Sequence, residues 1–198
     1  TIDSIKTKVQ NNAFHDCFMF KNLIISSKEK TLSDYSSSKY PSVTEIVITP
    51  EVSKIGDYAF FQCSLTKIIL PPTLITIEDF AFTQCFELRE VYIPSSVKII
   101  GIHAFEGCSL LTKLQIPPNI TIIDESVFKS CSSLESIEIP LSVTCIRDYA
   151  FENCGLLRLV IPPSVTQIFL SAFSNCTLLE KVELPSSIKE IPESLFIN

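Results

Sequence analysis

Apolar positions along this chain recur in a compound pattern with a period of 22 or 23 residues. Each unit begins with two apolar residues three apart: Val52/Ile55, Leu74/Ile77, Val97/Ile100, Ile120/Ile123, Val143/Ile146, Val165/Ile168 and Ile188/Ile191. Five residues later stands an aromatic anchor, at Phe60, Phe82, Phe105, Phe128, Phe151, Phe173 and Phe196. A cysteine follows six of these anchors by three residues, at Cys63, Cys85, Cys108, Cys131, Cys154 and Cys176. The unit closes on L-x-x-I-x-I and a proline (Pro71, Pro94, Pro117, Pro140, Pro162, Pro185).

Each part of the unit predicts an element. The period-2 ending places two apolar residues on one face of a strand and the residue between them on the other. The proline that follows cannot donate to a ladder, so the strand stops or bends there. The V-x-x-I step, rich in β-branched residues, predicts a second short extended stretch. The A-F-x-x-C step predicts a helical or 3₁₀ turn with Ala, Phe and Cys on one side. No unit can bury its apolar face alone. Stacking units about 4.8 Å apart pairs each strand with the next and lines up ladders of Phe, Ile, Leu and Cys.

The register extends towards the start of the chain. Phe14 lies two periods before Phe60, Cys17 follows it by three, and Phe20, Leu23 and Ile25 fall on strand positions. The next unit is degenerate, with Ser37 for the phenylalanine and Tyr40 for the cysteine, although Val43, Ile46 and Ile48 keep the strand pattern. The Ser- and Lys-rich segment from Ser27 to Tyr40 is therefore expected to be an irregular, mobile turn. The sequence predicts one repeat domain over residues 1–198: a first repeat at 1–26, a degenerate second at 27–48, and regular repeats over 49–198 with the last incomplete. That makes about eight units. A start without methionine and a stop inside a repeat suggest a piece of a longer protein.

Composition narrows the function. With 46% hydrophobic and 19% charged residues the chain has ample apolar surface to bury, which argues against disorder. Only 4 glycines leave little room for phosphate-cradling loops. A net charge of −6 argues against nucleic acid or an anionic membrane as partner. No apolar run is long enough to span a bilayer.

Catalytic chemistry finds no foothold. His15 and His103 stand about four repeats apart and are expected in turns, so no Ser-His-Asp or Cys-His arrangement forms. Six of the eight cysteines share one repeat position beside the anchor. Their side chains point in parallel into the core, which predicts buried free thiols rather than a disulfide framework. Cys145 departs from that pattern and is expected near a neighbouring turn. No C-x-x-C or clustered Cys/His spacing suggests a metal, and no cofactor is implied. Asn119-Ile-Thr121 and Asn175-Cys-Thr177 fit the glycosylation acceptor pattern. Asn119, after a double proline, is expected to be the more exposed of the two.

IPSSVKIIGIHAFEGCSLLTKLQIP (Ile93 to Pro117) and IPLSVTCIRDYAFENCGLLRLVIP (Ile139 to Pro162) resemble the BspA-type, or Treponema pallidum-type, leucine-rich repeat. The resemblance covers nearly the whole chain. It implies a strand-dominated leucine-rich repeat solenoid, with a parallel β-sheet on the concave face and short second strands and helical or 3₁₀ turns elsewhere. It also implies a protein of the cell surface of a bacterium or parasitic protist, engaged in adhesion or recognition.

Repeat positions report packing, so binding falls to the strand residues that alternate away from the core. The central column runs Ile24, Val47, Ile69, Tyr92, Gln115, Glu138, Val160, Glu183. Beside it lie Arg89, Lys113 and Arg158, with Lys67, Glu90 and Lys181 in the same flanking columns. An apolar stripe with a charged rim fits a protein-binding face. Tyr92 with Arg89 is the expected hot spot, because Tyr and Arg dominate such sites. The expected partner is a protein: a host matrix component, a cell-surface receptor or another copy. The alternative is a structural or self-associating scaffold without a dedicated ligand.

Overall fold

The computed structural model describes residues 22–25, 31–32 and 43–197. Every strand pair in it is parallel and joins one unit to the next. Numbered in chain order, the L-x-x-I-x-I strands are β1 (Asn22–Ile25), β3 (Glu45–Ile48), β5 (Lys67–Ile69), β7 (Glu90–Tyr92), β9 (Lys113–Leu114), β12 (Arg158–Val160) and β14 (Lys181–Glu183). The V-x-x-I strands are β2 (Thr31–Leu32), β4 (Lys54–Ile55), β6 (Thr76–Ile77), β8 (Ile99–Ile100), β10 (Ile122–Ile123), β11 (Cys145–Ile146) and β13 (Gln167–Ile168). The first set forms sheets β1-β3-β5-β7-β9 and β12-β14; the second forms β2-β4-β6-β8 and β10-β11-β13. This is the expected solenoid. Between Glu45 and Lys181 it completes six turns, fewer than the eight units read from the sequence, because the first two lie mostly outside the described residues.

Phe14, His15, Cys17 and Phe20 lie outside the described residues, as does most of the segment 27–40. Within that segment Thr31–Leu32 nevertheless pairs with Lys54–Ile55. Leu32 stands one period before Ile55, so the V-x-x-I strand survives in the degenerate unit even though its anchor does not.

The core is the stacked repeat. Phe60, Phe82, Phe105, Phe128, Phe151 and Phe173 are almost wholly buried. Their rings stack, with neighbouring centroids 5.0 to 6.0 Å apart. The step between Phe105 and Phe128 is the widest of these, at 6.0 Å. Both strand ladders lapse there, between β8 and β10 and between β9 and Ser136–Glu138. The pattern Leu134/Ile137/Ile139 predicts a strand at that level, but no ladder forms and Ile137 is only half-buried.

The anchor turn is tighter than a helix. Its i→i−3 bonds are of the expected kind, such as Phe61 N to Tyr58 O and Cys63 N to Phe60 O. Left-handed residues interrupt them two positions before and two after the anchor, as at Tyr58 (φ 55°) and Gln62 (φ 56°). The alternation turns every second N–H along the stack. Tyr58 N donates to Asp79 O, Phe60 N to Ala81 O and Gln62 N to Thr83 O, all in the following unit. Left-handed backbone is unfavourable for residues with a Cβ, and here the inter-unit ladder offsets it. That ladder continues across the step where the strands lapse, through His103 N to Glu125 O, Phe105 N to Val127 O and Gly107 N to Lys129 O.

Cysteine fits its position for the same reason. The thiol of Cys85 donates to Phe60 O at 2.9 Å, and Cys108, Cys131, Cys154 and Cys176 each donate likewise to the anchor carbonyl of the preceding unit. A small apolar side chain with one weak donor suits a buried carbonyl. All seven described cysteines are buried, and Cys85, Cys108, Cys131, Cys145, Cys154 and Cys176 are free thiols. Burial pushes the Cys85, Cys131 and Cys154 thiols far up and that of Cys108 up to about 12. Cys145 lies buried in β11, paired with Ile122 and Gln167.

Candidate protein-binding face

The face rests on strand register. Ile24 pairs with Val47, Val47 with Ile69 and Ile69 with Tyr92, so four residues spaced a repeat apart form one continuous column. Their neighbours within each strand point inward: Ile46, Ile68 and Val91 are buried. Ile24, Ile69 and Tyr92 are exposed, and Tyr92 retains 71% of its surface. A ring that large leaves its apolar faces in water only at an energetic cost, since burying apolar area is favourable by about 25 cal/mol per Å².

A shallow groove of about 720 Å³ opens around Tyr92. Of the predicted residues, Ile69, Tyr92, Lys113, Gln115 and Glu138 line it. Ile24, Val47, Arg89, Arg158 and Val160 do not. Ile24 and Val47 continue the apolar column beyond one end of the groove. Arg89 is exposed just before β7, with its carbonyl accepting from Thr112 N, but it is not part of the lining. Arg158 and Val160 sit past the ladder lapse, in the separate pair β12-β14, with Val160 exposed beside Glu183. Lys67 and Glu90 of the charged rim also line the groove, as do Thr112 and Ser136, which the sequence reading did not name. Their signal was present: each occupies the strand position two before a central-column residue or adjoins one that does. The groove's far wall is Ser136–Glu138, where the ladder to β9 lapses.

Charge along the flanking column alternates. Glu45 pairs in register with Lys67, Lys67 with Glu90 and Glu90 with Lys113. All four side chains are exposed. Beyond the lapse the order fails, with Arg158 beside Lys181. There Lys181 Nζ turns to Glu183 Oε1 at 2.7 Å, and this bond holds the Glu183 carboxyl below its ordinary range.

The remaining sequence candidates are structural. His103 is a left-handed turn residue stacked on Phe80 at 4.6 Å, with Nδ1 2.7 Å from Glu106. The amide of Asn119 donates to Ser95 O. Asn175 is exposed, as Asn119 is, with left-handed backbone at Asn175 and the neighbouring Cys176 buried. Among the described residues there is no cluster of three metal-ligating side chains, and no helix is long and apolar enough to cross a membrane.

The pattern described as "BspA type Leucine rich repeat region (6 copies)" matches residues 7–132 and 100–198. The chain belongs to this family. A leucine-rich cell surface protein of Faecalibacterium prausnitzii A2-165 is 30% identical and aligns with a TM-score of 0.75, over 82% of this chain and 47% of its own length. The chain thus spans about half of that protein. The leucine-rich repeat protein of T. pallidum is 24% identical, with a TM-score of 0.74 over 81% of this chain and 78% of its own, and shares the fold. A comparison with curated protein sequences finds no match. Leucine-rich repeat proteins are generally binding scaffolds that mediate protein–protein interactions.

Proposed function

We propose that this chain is a cell-surface recognition module that binds another protein through the exposed face of β1, β3, β5 and β7. The observation that carries this is the column Ile24–Val47–Ile69–Tyr92, held in register by backbone pairing and ending in an exposed aromatic beside a groove. Isolated exposed apolar residues are ordinary; a continuous row edged by charge is the composition of an interface. The cell-surface setting is supported by the Faecalibacterium relative, which bears that description. A host matrix protein or receptor is the partner class this setting favours. The whole chain 1–198 acts as one solenoid domain in this reading, with the buried anchors as scaffold and the strand face as the variable part.

The test is a binding assay of the chain against immobilised matrix proteins and intact epithelial cells. The double variant Ile69→Ser/Tyr92→Ala is expected to lose at least about tenfold in affinity, as removal of a central aromatic anchor does. Unchanged binding by this variant, with folding intact, would sink the reading.

A further inference from the structure

The charged column beside Tyr92 has a property that a random rim lacks. Read from β3 to β9 it runs Glu45, Lys67, Glu90, Lys113, and read backwards it is its own complement. Among the described residues the ion pairs are Lys54–Glu78, His103–Glu106, Lys129–Glu152 and Lys181–Glu183, and none uses these four. Adjacent as they are, they leave their charges available to a partner.

We propose that a second copy of this chain docks face to face on this surface, about a twofold axis parallel to the strands and between β5 and β7. The proposal rests on the reading that this face is the binding surface, and names an occupant for it. Such an axis preserves position along a strand and reverses the order of strands. Lys67 then meets Glu90 of the second copy, and Glu45 meets Lys113. Both contacts occur twice, as an isologous interface requires. The same operation sets Ile69 against Tyr92 over the groove at both symmetry-related contacts, with Val47 opposite Gln115. No like charges meet among the four. A partner carrying a single sign of charge would face repulsion at every second strand, which disfavours a uniformly acidic or basic ligand. The dimer and an external protein occupy the same residues and therefore exclude each other.

Sedimentation of the chain over a range of concentrations tests this, using Lys67→Glu and Glu90→Lys, separately and mixed. The wild-type chain is expected to associate as concentration rises. Lys67→Glu alone sets carboxylate against carboxylate at both symmetry-related contacts, and Glu90→Lys alone sets ammonium against ammonium at both. Each single variant therefore weakens association by roughly tenfold or more. In an equimolar mixture the Lys67→Glu chain carries carboxylates at both positions and the Glu90→Lys chain ammoniums at both, so the heterodimer has opposite charges at both contacts and association recovers; this recovery is read against the charge-swapped chain Lys67→Glu/Glu90→Lys. That double variant restores opposite charges at both contacts and recovers association as a homodimer. It also controls for folding, since a misfolded chain would not recover. A wild-type chain that stays monomeric, single variants that associate unchanged, or a charge-swapped chain that fails to recover would each overturn the proposal. These outcomes separate from the proposed function. A monomeric wild type that loses matrix binding on Ile69→Ser/Tyr92→Ala refutes the dimer and keeps the recognition face; a dimer whose variant still binds matrix does the reverse.

Discussion

The anchor turns and the strand face share one period and treat side chains in opposite ways. At the turns six units repeat the same pair, Phe at 0–1% exposure with Cys beside it, and backbone hydrogen bonds join each anchor turn to the next from Tyr58 to Ile197. On the strand face each unit differs, Tyr92 stands 71% exposed, and the ladder lapses at Ser136–Glu138. The turns hold the solenoid together; the strands are free to vary because stability does not depend on their outward residues. Continuity of the turn ladder across the lapse is what allows the strands to open into a groove without a break in the stack.

Three substitutions test that division, beginning with the largest effect. Phe105→Ala removes a ring packed between Phe82 and Phe128. It should cost about 3–5 kcal/mol in urea unfolding, since a large buried ring leaves a cavity. A loss under about 1 kcal/mol would mean that the stacked rings are not the core. Gly155→Ala should cost about 1–3 kcal/mol by overpacking. A Cβ built there lies 2.1 Å from Ser132 O, a backbone atom that cannot swing aside.

Unfolding can be followed through the thiols. Burial raises the Cys85, Cys108, Cys131 and Cys154 thiols, which leaves little thiolate to react at neutral pH. Thiol reagent should therefore find these cysteines unreactive in the native chain and reactive once it unfolds, with Phe105→Ala shifting that onset to lower urea. Fast labelling of native Cys108 would contradict its place in the ladder.

Asp79 gives the smallest effect. Its Oδ1 accepts from Ile102 N, while burial first, and then the nearby Asp57, Glu78 and Asp124 carboxylates, raise it above the ordinary carboxylate value. A folded-state value above the unfolded one means that the charged form destabilises the fold at neutral pH. That penalty is relieved as pH falls through the raised value. Asp79→Asn keeps the acceptor and removes the charge, so it should stabilise the chain at pH 7 by about 0.5 kcal/mol at most, after screening. The gain should vanish below the ordinary carboxylate range; a gain that persists there would point to another cause.

The repeat itself was legible because Phe, Cys and Pro hold their spacing, and that spacing placed both strand sets and the outward column from Ile24 to Tyr92. Three features were not. The left-handed turn positions carry Tyr, Phe, His, Gln, Ser and Asn, with glycine only at Gly107 among the described residues, so the usual marker of such backbone is missing from nearly all of them; inter-unit hydrogen bonds impose it. The ladder lapse is invisible because Leu134, Ile137 and Ile139 keep the strand pattern while the stacking distance of the rings changes. The complementarity of Glu45, Lys67, Glu90 and Lys113 needs the strand register, which the spacing of 22 or 23 fixes only once the strands are known to pair.

One measurement bears most directly on the separation of scaffold and face: urea unfolding and matrix binding of Ile69→Ser/Tyr92→Ala in the same preparation. Exposed positions outside a packed network change stability by about 0.5 kcal/mol or less each. The midpoint should therefore stay within about 1 kcal/mol of wild type while binding falls at least about tenfold. A large loss of stability, or full binding by a stable variant, would contradict the account.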